Sequence, residues 1–355
     1  MRRARDTRPS AGRPTALRGP GQPCELGFNL RGMLHWGPEL SDDERAQLWG
    51  NALAEIHNNY GGSVMRIYVA HNLLDADTTA RRLQQFLDTA GGQQVRVIAA
   101  LVDYYWPSSE QNWYVPASLQ QGYTDEYWPD QKIKDAVDAG QLPKEGQFYH
   151  RIPNAKFFAS GYKSDYLSFV STIVAFNAGH DALYAWEPGN ELALRVTAPD
   201  DPAARRAQFL RFMKATVAAI RKADPARPIA AGVQDSQIAL GVDAPEALYG
   251  GGSQIDIATI HHYPPSADEP RRLQEAAKLQ AMGRQFIVEE LGVPGAVIDP
   301  REVIASQLAL WDEAGAAAIL LWGWPIFPGA EDNYTERWTH ESVDQVAAVI
   351  RDFPA

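Results

Sequence analysis

Two glutamates carry the chemistry this sequence could perform. Glu191 closes the run Trp186-Glu187-Pro188-Gly189-Asn190-Glu191, and Glu290 lies in Val288-Glu289-Glu290-Leu291-Gly292. Other chemistry-bearing residues stand apart along the chain: Arg66, Asp103, the run His261-His262-Tyr263, and Trp322 with Trp324. Two carboxyls delivered from separate segments suit acid/base and nucleophilic work at an acetal carbon. One must carry a proton for the departing oxygen. The other must stay ionised to attack, and an arginine and a tyrosine hydroxyl beside it would hold it so. An indole offers an apolar face to a sugar ring.

These residues recur at one kind of place. Short apolar runs at 26–30, 64–69, 95–102, 182–186, 228–233, 255–261, 286–290 and 317–322 read as strands. Most are continuous rather than alternating, the pattern of a parallel sheet buried on both faces. Amphipathic stretches between them read as helices: from an N-cap at Ser41 through 58, then 78–90, 164–178, 202–223, 270–282, 300–314 and 340–352. Glu44 stands at capping-box spacing from Ser41. The crossover after the fifth strand is the weakest, with only 244–249 available. Eight strands alternating with helices predict an α/β fold, a closed (β/α)8 TIM barrel over residues 25–355. No Gly-rich phosphate loop follows any strand, which counts against a dinucleotide fold. In a barrel the ends of the strands converge on one mouth. Arg66, Asp103, Glu187, Asn190, Glu191, His261, Tyr263, Glu289, Glu290, Trp322 and Trp324 would meet there. An ionisable residue at the end of a buried strand is costly unless paired or used, so a ring of them reads as a site.

One connection is unusually long. After Val102 the chain runs through Asp103-Tyr104-Tyr105-Trp106-Pro107, Trp113-Tyr114, Tyr127-Trp128 and Phe157-Phe158 before the next clear helix. Loops this long are usually functional. Trp106 and its neighbours read as the wall of a groove.

Composition narrows the partners. The 355 residues are 45% hydrophobic and carry a net charge of -11, which argues against nucleic acid. Residues 1–24 differ: six Arg face one Asp among Pro, Gly, Ser and Thr, a net of +5 that leaves -16 for the rest. This stretch reads as a disordered basic arm without the apolar core of a signal peptide. The single cysteine, Cys24, excludes an internal disulfide and a Cys-based metal cluster. No apolar run is long enough to span a membrane. The expected partner is a carbohydrate, with no cofactor, no metal and a monomeric chain.

The motifs resemble those of the large retaining glycosidase clan typified by glycoside hydrolase family 5. Asn190-Glu191 is similar to its Asn-Glu motif, and Glu290 with Gly292 to its nucleophile motif. Ile260-His261-His262-Tyr263-Pro264 resembles its His-x-Tyr-Pro, Trp322 its strand-eight tryptophan, and Arg66 its strand-two arginine. Asp332-Asn333-Tyr334 resembles a segment that often follows strand eight. The match spans roughly residues 26–350 in the family's order. The resemblance implies Glu191 as acid/base, Asn190 on the sugar 2-hydroxyl, and Glu290 as nucleophile held by Arg66 and Tyr263. It implies His261 as a sugar contact or a support for Glu191, and Trp322 as the sugar platform. Glu289, next to Glu290 on a strand, is expected to point away. Glu187 stands where the β-mannanase branch carries Trp-Glu-x-x-Asn-Glu and reads as supporting structure. His262 reads as structural or at the rim.

A β-1,4-mannan is the first expected substrate, with a β-glucan or an exo-acting β-glycosidase behind it. Such a polymer implies action outside the cell. Two other classes compete. A metal-dependent barrel would use His261, His262, Glu289 and Glu191 as ligands. An inactive sugar-binding barrel would keep the groove and lose turnover.

Overall fold

The computed structural model describes residues 24–30, 34, 40–69, 75–102, 127–128, 152–153, 155–164, 166–193, 201–293, 300–322 and 349–353. Seven strands form one parallel sheet: β1 (Glu25–Leu30), β2 (Val64–Tyr68), β3 (Arg96–Ala100), β6 (Leu183–Glu187), β7 (Ile257–His262), β8 (Gln285–Leu291) and β9 (Ala318–Leu321). Their order is β6-β3-β2-β1-β9-β8-β7. A separate antiparallel pair joins β4 (Tyr127–Trp128) to β5 (Ile152–Pro153), inside the long connection.

The sheet curls. Ile229 makes a parallel bridge to Trp186 of β6, and Ala230 makes one to Ile257 of β7, so one short segment reaches both edges. The strand expected over 228–233 is thus reduced to isolated bridges. Pro228 has no N–H to give a ladder, and Gly232 adopts φ +68, which ends the extended run.

Helices fill the crossovers. These are α1 (Asp42–Tyr60), α2 (Ala76–Gly92), α3 (Ala155–Ala159), α4 (Tyr166–Asn177), α5 (Pro202–Ala223), α6 (Ser236–Leu240), α7 (Glu246–Tyr249), α8 (Glu269–Ala281) and α9 (Pro300–Glu313). The expected capping box is present: Ser41 accepts from the Glu44 N–H while the Glu44 side chain takes the Ser41 N–H. The crossover thought weakest holds two short helices, α6 and α7. Of the helix expected over 340–352, residues 349–352 are helical and 340–348 lie outside the described residues.

Two apolar layers hold the sheet. Strand alternation sends Met65 and Ile67 outward into the large cluster shared with the helices, together with Trp49, Phe86, Phe212 and Trp311. Val64 faces inward, into a smaller cluster with Ile98, Tyr184, Ala230, Ile257, Ile287 and Leu320. At the N-terminal end of the strands Arg96 pairs with Glu25 and lies 4.6 Å from the Tyr184 ring centroid. The inner layer is therefore a floor, and what stands on the next residues of the same strand faces stands above it.

Candidate active site

Alternation on β2 places Val64, Arg66 and Tyr68 on one face, rising from floor to mouth. Arg66 is fully buried and its guanidinium organises the centre. Nε and Nη2 donate to Glu187 Oε2 and Oε1 at 2.9 and 2.6 Å. Nη2 also donates to Asn190 Oδ1 at 2.8 Å. Nη1 donates to Glu290 Oε1 at 2.9 Å and to Asn29 Oδ1 at 3.0 Å. One planar fork thus ties β1, β2, β6, the turn after β6 and β8 together, a geometry lysine could not supply.

Glu290, on β8, is held at both oxygens. Oε1 accepts from Arg66 and from the Tyr68 hydroxyl at 3.0 Å. Oε2 accepts from the Tyr263 hydroxyl at 2.5 Å, with His261 Nδ1 at 3.4 Å. Gly292 makes the Tyr263 position possible: a Cβ there would lie 2.5 Å from Tyr263 Cε1. Trp322 stacks edge-on to Tyr68, ring centroids 6.1 Å apart, and packs against the same corner.

Glu191 follows β6 on a sharp turn. Its φ of +50 is a left-handed conformation that non-glycine residues seldom adopt. Such strain costs of order 1–3 kcal/mol and tends to mark sites. The turn is pinned by the Asn190 N–H to the Val102 carbonyl at 2.7 Å and by the Tyr166 hydroxyl to the Pro188 carbonyl. Glu191 Oε1 meets His261 Nδ1 at 2.8 Å and accepts from Gln234 Nε2. Carboxylate oxygens of Glu191 and Glu290 and a ring nitrogen of His261 all lie within 4.8 Å of one another.

Glu289 does not point away. It is fully buried, with Oε2 3.1 Å from His261 Nε2 and Oε1 3.5 Å from Arg66 Nε. The reason is a register shift. Ile260 pairs with Val288 but His261 pairs with Glu290, so two residues of β8 oppose one step of β7 and alternation breaks at Glu289. Asn29 Nδ2 donates to the Glu289 carbonyl at 2.9 Å and ties down that irregular stretch. His262 keeps the alternation and faces outward, between Glu269, Arg272 and the Trp311 ring.

The electrostatics follow from burial and pairing. Burial pulls His261 toward neutrality, but Glu290, Glu191 and Glu289 reverse this and raise it to about 10. Both ring nitrogens face carboxylate oxygens, Nδ1 toward Glu191 and Nε2 toward Glu289, an arrangement that favours the doubly protonated ring. Burial also opposes the charge on Arg66, and Glu187 and Glu289 raise it well above its ordinary range. Burial pushes Glu187 up to about 8, with Arg66 opposing and Glu289 adding. Burial acts on Glu289 as well, yet Arg66 and His261 outweigh it and hold that carboxyl below its ordinary value. Glu290 differs from the sequence expectation. Burial raises it, and Glu191 raises it further, against His261, Arg66 and Tyr263. The Glu191 contribution exists only while Glu191 is ionised, so the facing carboxyls titrate as a pair.

The structure therefore brings together Arg66, Asn190, Glu191, His261, Tyr263, Glu290 and Trp322. Asp103, Trp106 and Trp324 lie outside the described residues, as does Asp332-Asn333-Tyr334. Three further residues enter that the sequence reading passed over: Tyr68, Gln234 and Asn29. Tyr68 sits two residues after Arg66 on the same strand face, a signal that was available. Asn29 is a buried polar residue inside the apolar run 26–30. Gln234 has no comparable mark; its carbonyl accepts the His261 N–H at 2.8 Å, which fixes it beside Glu191. The alternative metal set does not converge. His262 faces the other way, between Glu269, Arg272 and Trp311, while His261 shares its corner with Glu191 and Glu290, whose ligand atoms and its own lie within 4.8 Å of one another.

No protein-family model and no curated protein sequence matches this chain. Solved structures do share its fold. The endo-β-1,4-mannanase from Thermotoga petrophila superposes with a TM-score of 0.60 at 16% identity, over 94% of this chain and 77% of that one. The endo-1,4-β-mannanase from Rhizomucor miehei gives 0.60 at 14%, over 94% and 96%. Endo-glycoceramidase II from Rhodococcus sp. gives 0.57 at 14%, over 92% and 78%. The chain has the parallel strand–helix fold of these enzymes. Among its described residues no helix is long and apolar enough to cross a membrane.

Proposed function

We propose that the protein is a retaining glycoside hydrolase, with Glu290 as nucleophile and Glu191 as general acid/base. The observation that carries this reading is the pair itself: buried carboxylate oxygens of Glu191 and Glu290 within 4.8 Å, each gripped by its own donors. Retaining enzymes hold their carboxyls about 5–5.5 Å apart, whereas inverting ones leave room for a water. The bridges from Ile229 and Ala230 to both sheet edges support an eight-position barrel around this pair.

The roles follow from the donors. In the first step a Glu290 oxygen bonds to the anomeric carbon, the glycosidic C–O bond breaks, and the Glu191 proton passes to the departing oxygen. In the second, water attacks the same carbon, its proton goes to Glu191, and the Glu290 ester bond breaks. Arg66, Tyr68 and Tyr263 orient the Glu290 oxygens before attack. His261 and Gln234 both meet Glu191 at Oε1 and hold the carboxyl in place at the turn. The Nδ1–H of His261 lies between the two carboxyls. As Glu290 loses its charge to the sugar, Glu191 gains one, and the same N–H serves both states.

Trp322 provides the apolar surface at the mouth, and Asn190, held by Arg66, is placed for a sugar hydroxyl. A β-1,4-mannan is the preferred substrate, supported by the mannanases among the similar folds; a β-glucan or an aryl β-glycoside is the second reading. The test is product analysis on mannan, glucomannan, carboxymethyl cellulose, xylan and aryl β-glycosides. Short manno-oligosaccharides from mannan support both chemistry and substrate. Cleavage of glucan or aryl glycoside alone keeps the carboxylate roles and removes the mannan. Ordinary turnover by folded Glu290→Ala would overturn the nucleophile.

A further inference from the structure

Glu187 is a buried carboxyl that the reaction above does not use. It is fully buried on β6, and both its oxygens face the Arg66 fork. Three carboxyls, Glu187, Glu289 and Glu290, contact that one guanidinium. Among the described residues, four buried carboxyls counting Glu191 meet two cationic side chains here, Arg66 and His261. Four ionised groups would leave two uncompensated charges in a dry interior, which proteins avoid by protonation.

The geometry says where one proton goes. Glu187 Oε2 and Glu289 Oε1 meet at the same guanidinium nitrogen, 2.9 and 3.5 Å from Arg66 Nε. Two ionised carboxylates have nothing to donate across that contact. Glu289 Oε2 has the His261 N–H, but its buried Oε1 accepts from no conventional donor among the described residues. Gly232 closes the other side of Glu187: a Cβ there would lie 2.4 Å from Glu187 Oε1. The titratable and charged groups facing Glu187 are Arg66 from β2, Glu289 from β8 and Tyr166 from α4. Tyr68, His261, Glu290 and Glu191 stand beyond them, across Arg66 and Glu289.

We propose that Glu187 and Glu289 share one proton, Glu187 acting as a neutral acid that donates to Glu289, and that this pair positions Arg66 for the nucleophile. The inference rests on the glycosidase reading only for what Arg66 then does. A neutral Glu187 still accepts from Arg66 through its remaining lone pairs, so the fork keeps its orientation. Its neutrality leaves the charge of Arg66 uncancelled on the side facing Glu290. The shared proton also satisfies the orphan oxygen of Glu289, which in turn fixes the Nε2 end of His261. Glu187 is thus a positioning residue, acting through Arg66 and Glu289.

The first test is infrared difference spectroscopy of the full chain across a pH titration, comparing wild type, Glu187→Gln and Glu191→Gln. The expected result is a protonated-carboxyl stretch at neutral pH that Glu187→Gln deletes and Glu191→Gln leaves, fading as pH rises past about 8. No such band overturns the proposal. The second test is the pH profile of kcat/KM. Glu187→Gln keeps a neutral group that accepts through Oε1 and donates through Nε2 but gives up one Arg66 contact, because an amide nitrogen does not accept; kcat/KM therefore falls less than in Glu187→Ala, which loses on the order of 100-fold through misplacement of Arg66. The Gln variant also loses the part of the alkaline decline that belongs to Glu187. Equal losses in Gln and Ala, or a Gln variant that does not fold, overturn the proposal, because an ion pair needing charge behaves that way. The spectroscopic arm uses no substrate. A folded protein that cleaves no glycoside would sink the glycosidase reading while the band still decides the shared proton.

Discussion

Raising the pH should unfasten the site through His261. The ring is 1% exposed and lies against three carboxyls, at 2.8 Å from Glu191, 3.1 Å from Glu289 and 3.4 Å from Glu290. Burial alone would lower its proton affinity; the carboxyls raise it from 6.5 to about 10. A base that holds its proton more tightly when folded stabilises the fold fully below its unfolded pKa and loses that contribution as pH rises through its folded one. The window is therefore pH 6.5 to about 10. At about 1.4 kcal/mol per pH unit the ceiling is about 5 kcal/mol. That is a large share of a typical net stability of about 5–15 kcal/mol. The assay is urea unfolding at a series of pH values for wild type and His261→Gln, which cannot take up the proton. Wild type should lose several kcal/mol more than the variant across the window. Groups remote from the site titrate alike in both proteins and cancel in the difference, while Glu289 and Glu290, which the ring holds down, rise in the variant. Parallel stability curves for the two proteins would refute the imidazolium, and with it the role of His261 as a donor to both catalytic carboxyls.

Three substitutions probe the supports of the site. Tyr263→Phe removes the hydroxyl donated to Glu290 Oε2, and hydrogen bonds to charged groups are worth about 1.5–3 kcal/mol; kcat should fall by about 10- to 100-fold in steady-state assays with the melting temperature nearly unchanged. Gly292→Ala drives a Cβ to 2.5 Å from the Tyr263 ring, so it should reproduce that loss and add about 1–3 kcal/mol of overpacking, measured by urea unfolding. Gly232→Ala meets the Gly189 carbonyl at 2.0 Å and Glu187 Oε1 at 2.4 Å while forcing φ +68 on a residue with a Cβ. Denaturation should show a loss of at least about 2 kcal/mol, from left-handed strain of about 1–2 kcal/mol plus the clash; a loss below 1 kcal/mol would mean the backbone there relaxes freely.

Particular residues show what the sequence made legible. The strands at β1, β2, β3, β6, β7, β8 and β9 are readable because most are largely continuous apolar runs, buried on both faces. The run at 228–233 has the same composition, yet Pro228 and the positive φ of Gly232 leave it only bridges. Arg66, Asn190, Glu191, His261, Tyr263 and Glu290 could be singled out because polar residues ending apolar strands are conspicuous. Glu289 departs from the outward direction that strict alternation predicts, because alternation assumes an unbroken ladder and the shift between Ile260 and His261 is set by pairing between strands. The same holds for the proton state of Glu290. Arg66 and Tyr263 were legible as its partners, but burial and the nearness of Glu191 arise only when distant segments meet. Gln234 belongs to this class as well, since no pattern in its own segment aims it at Glu191.

The covalent step at Glu290 is the centre of the proposed reaction. Incubating the protein with an activated 2-deoxy-2-fluoro β-glycoside and mapping the product by mass spectrometry tests it directly. One glycosyl group attached to the peptide that carries Glu290, absent in Glu290→Gln, is the predicted result. Turnover to a product of inverted anomeric configuration, or a glycosyl group on any other residue, would contradict it.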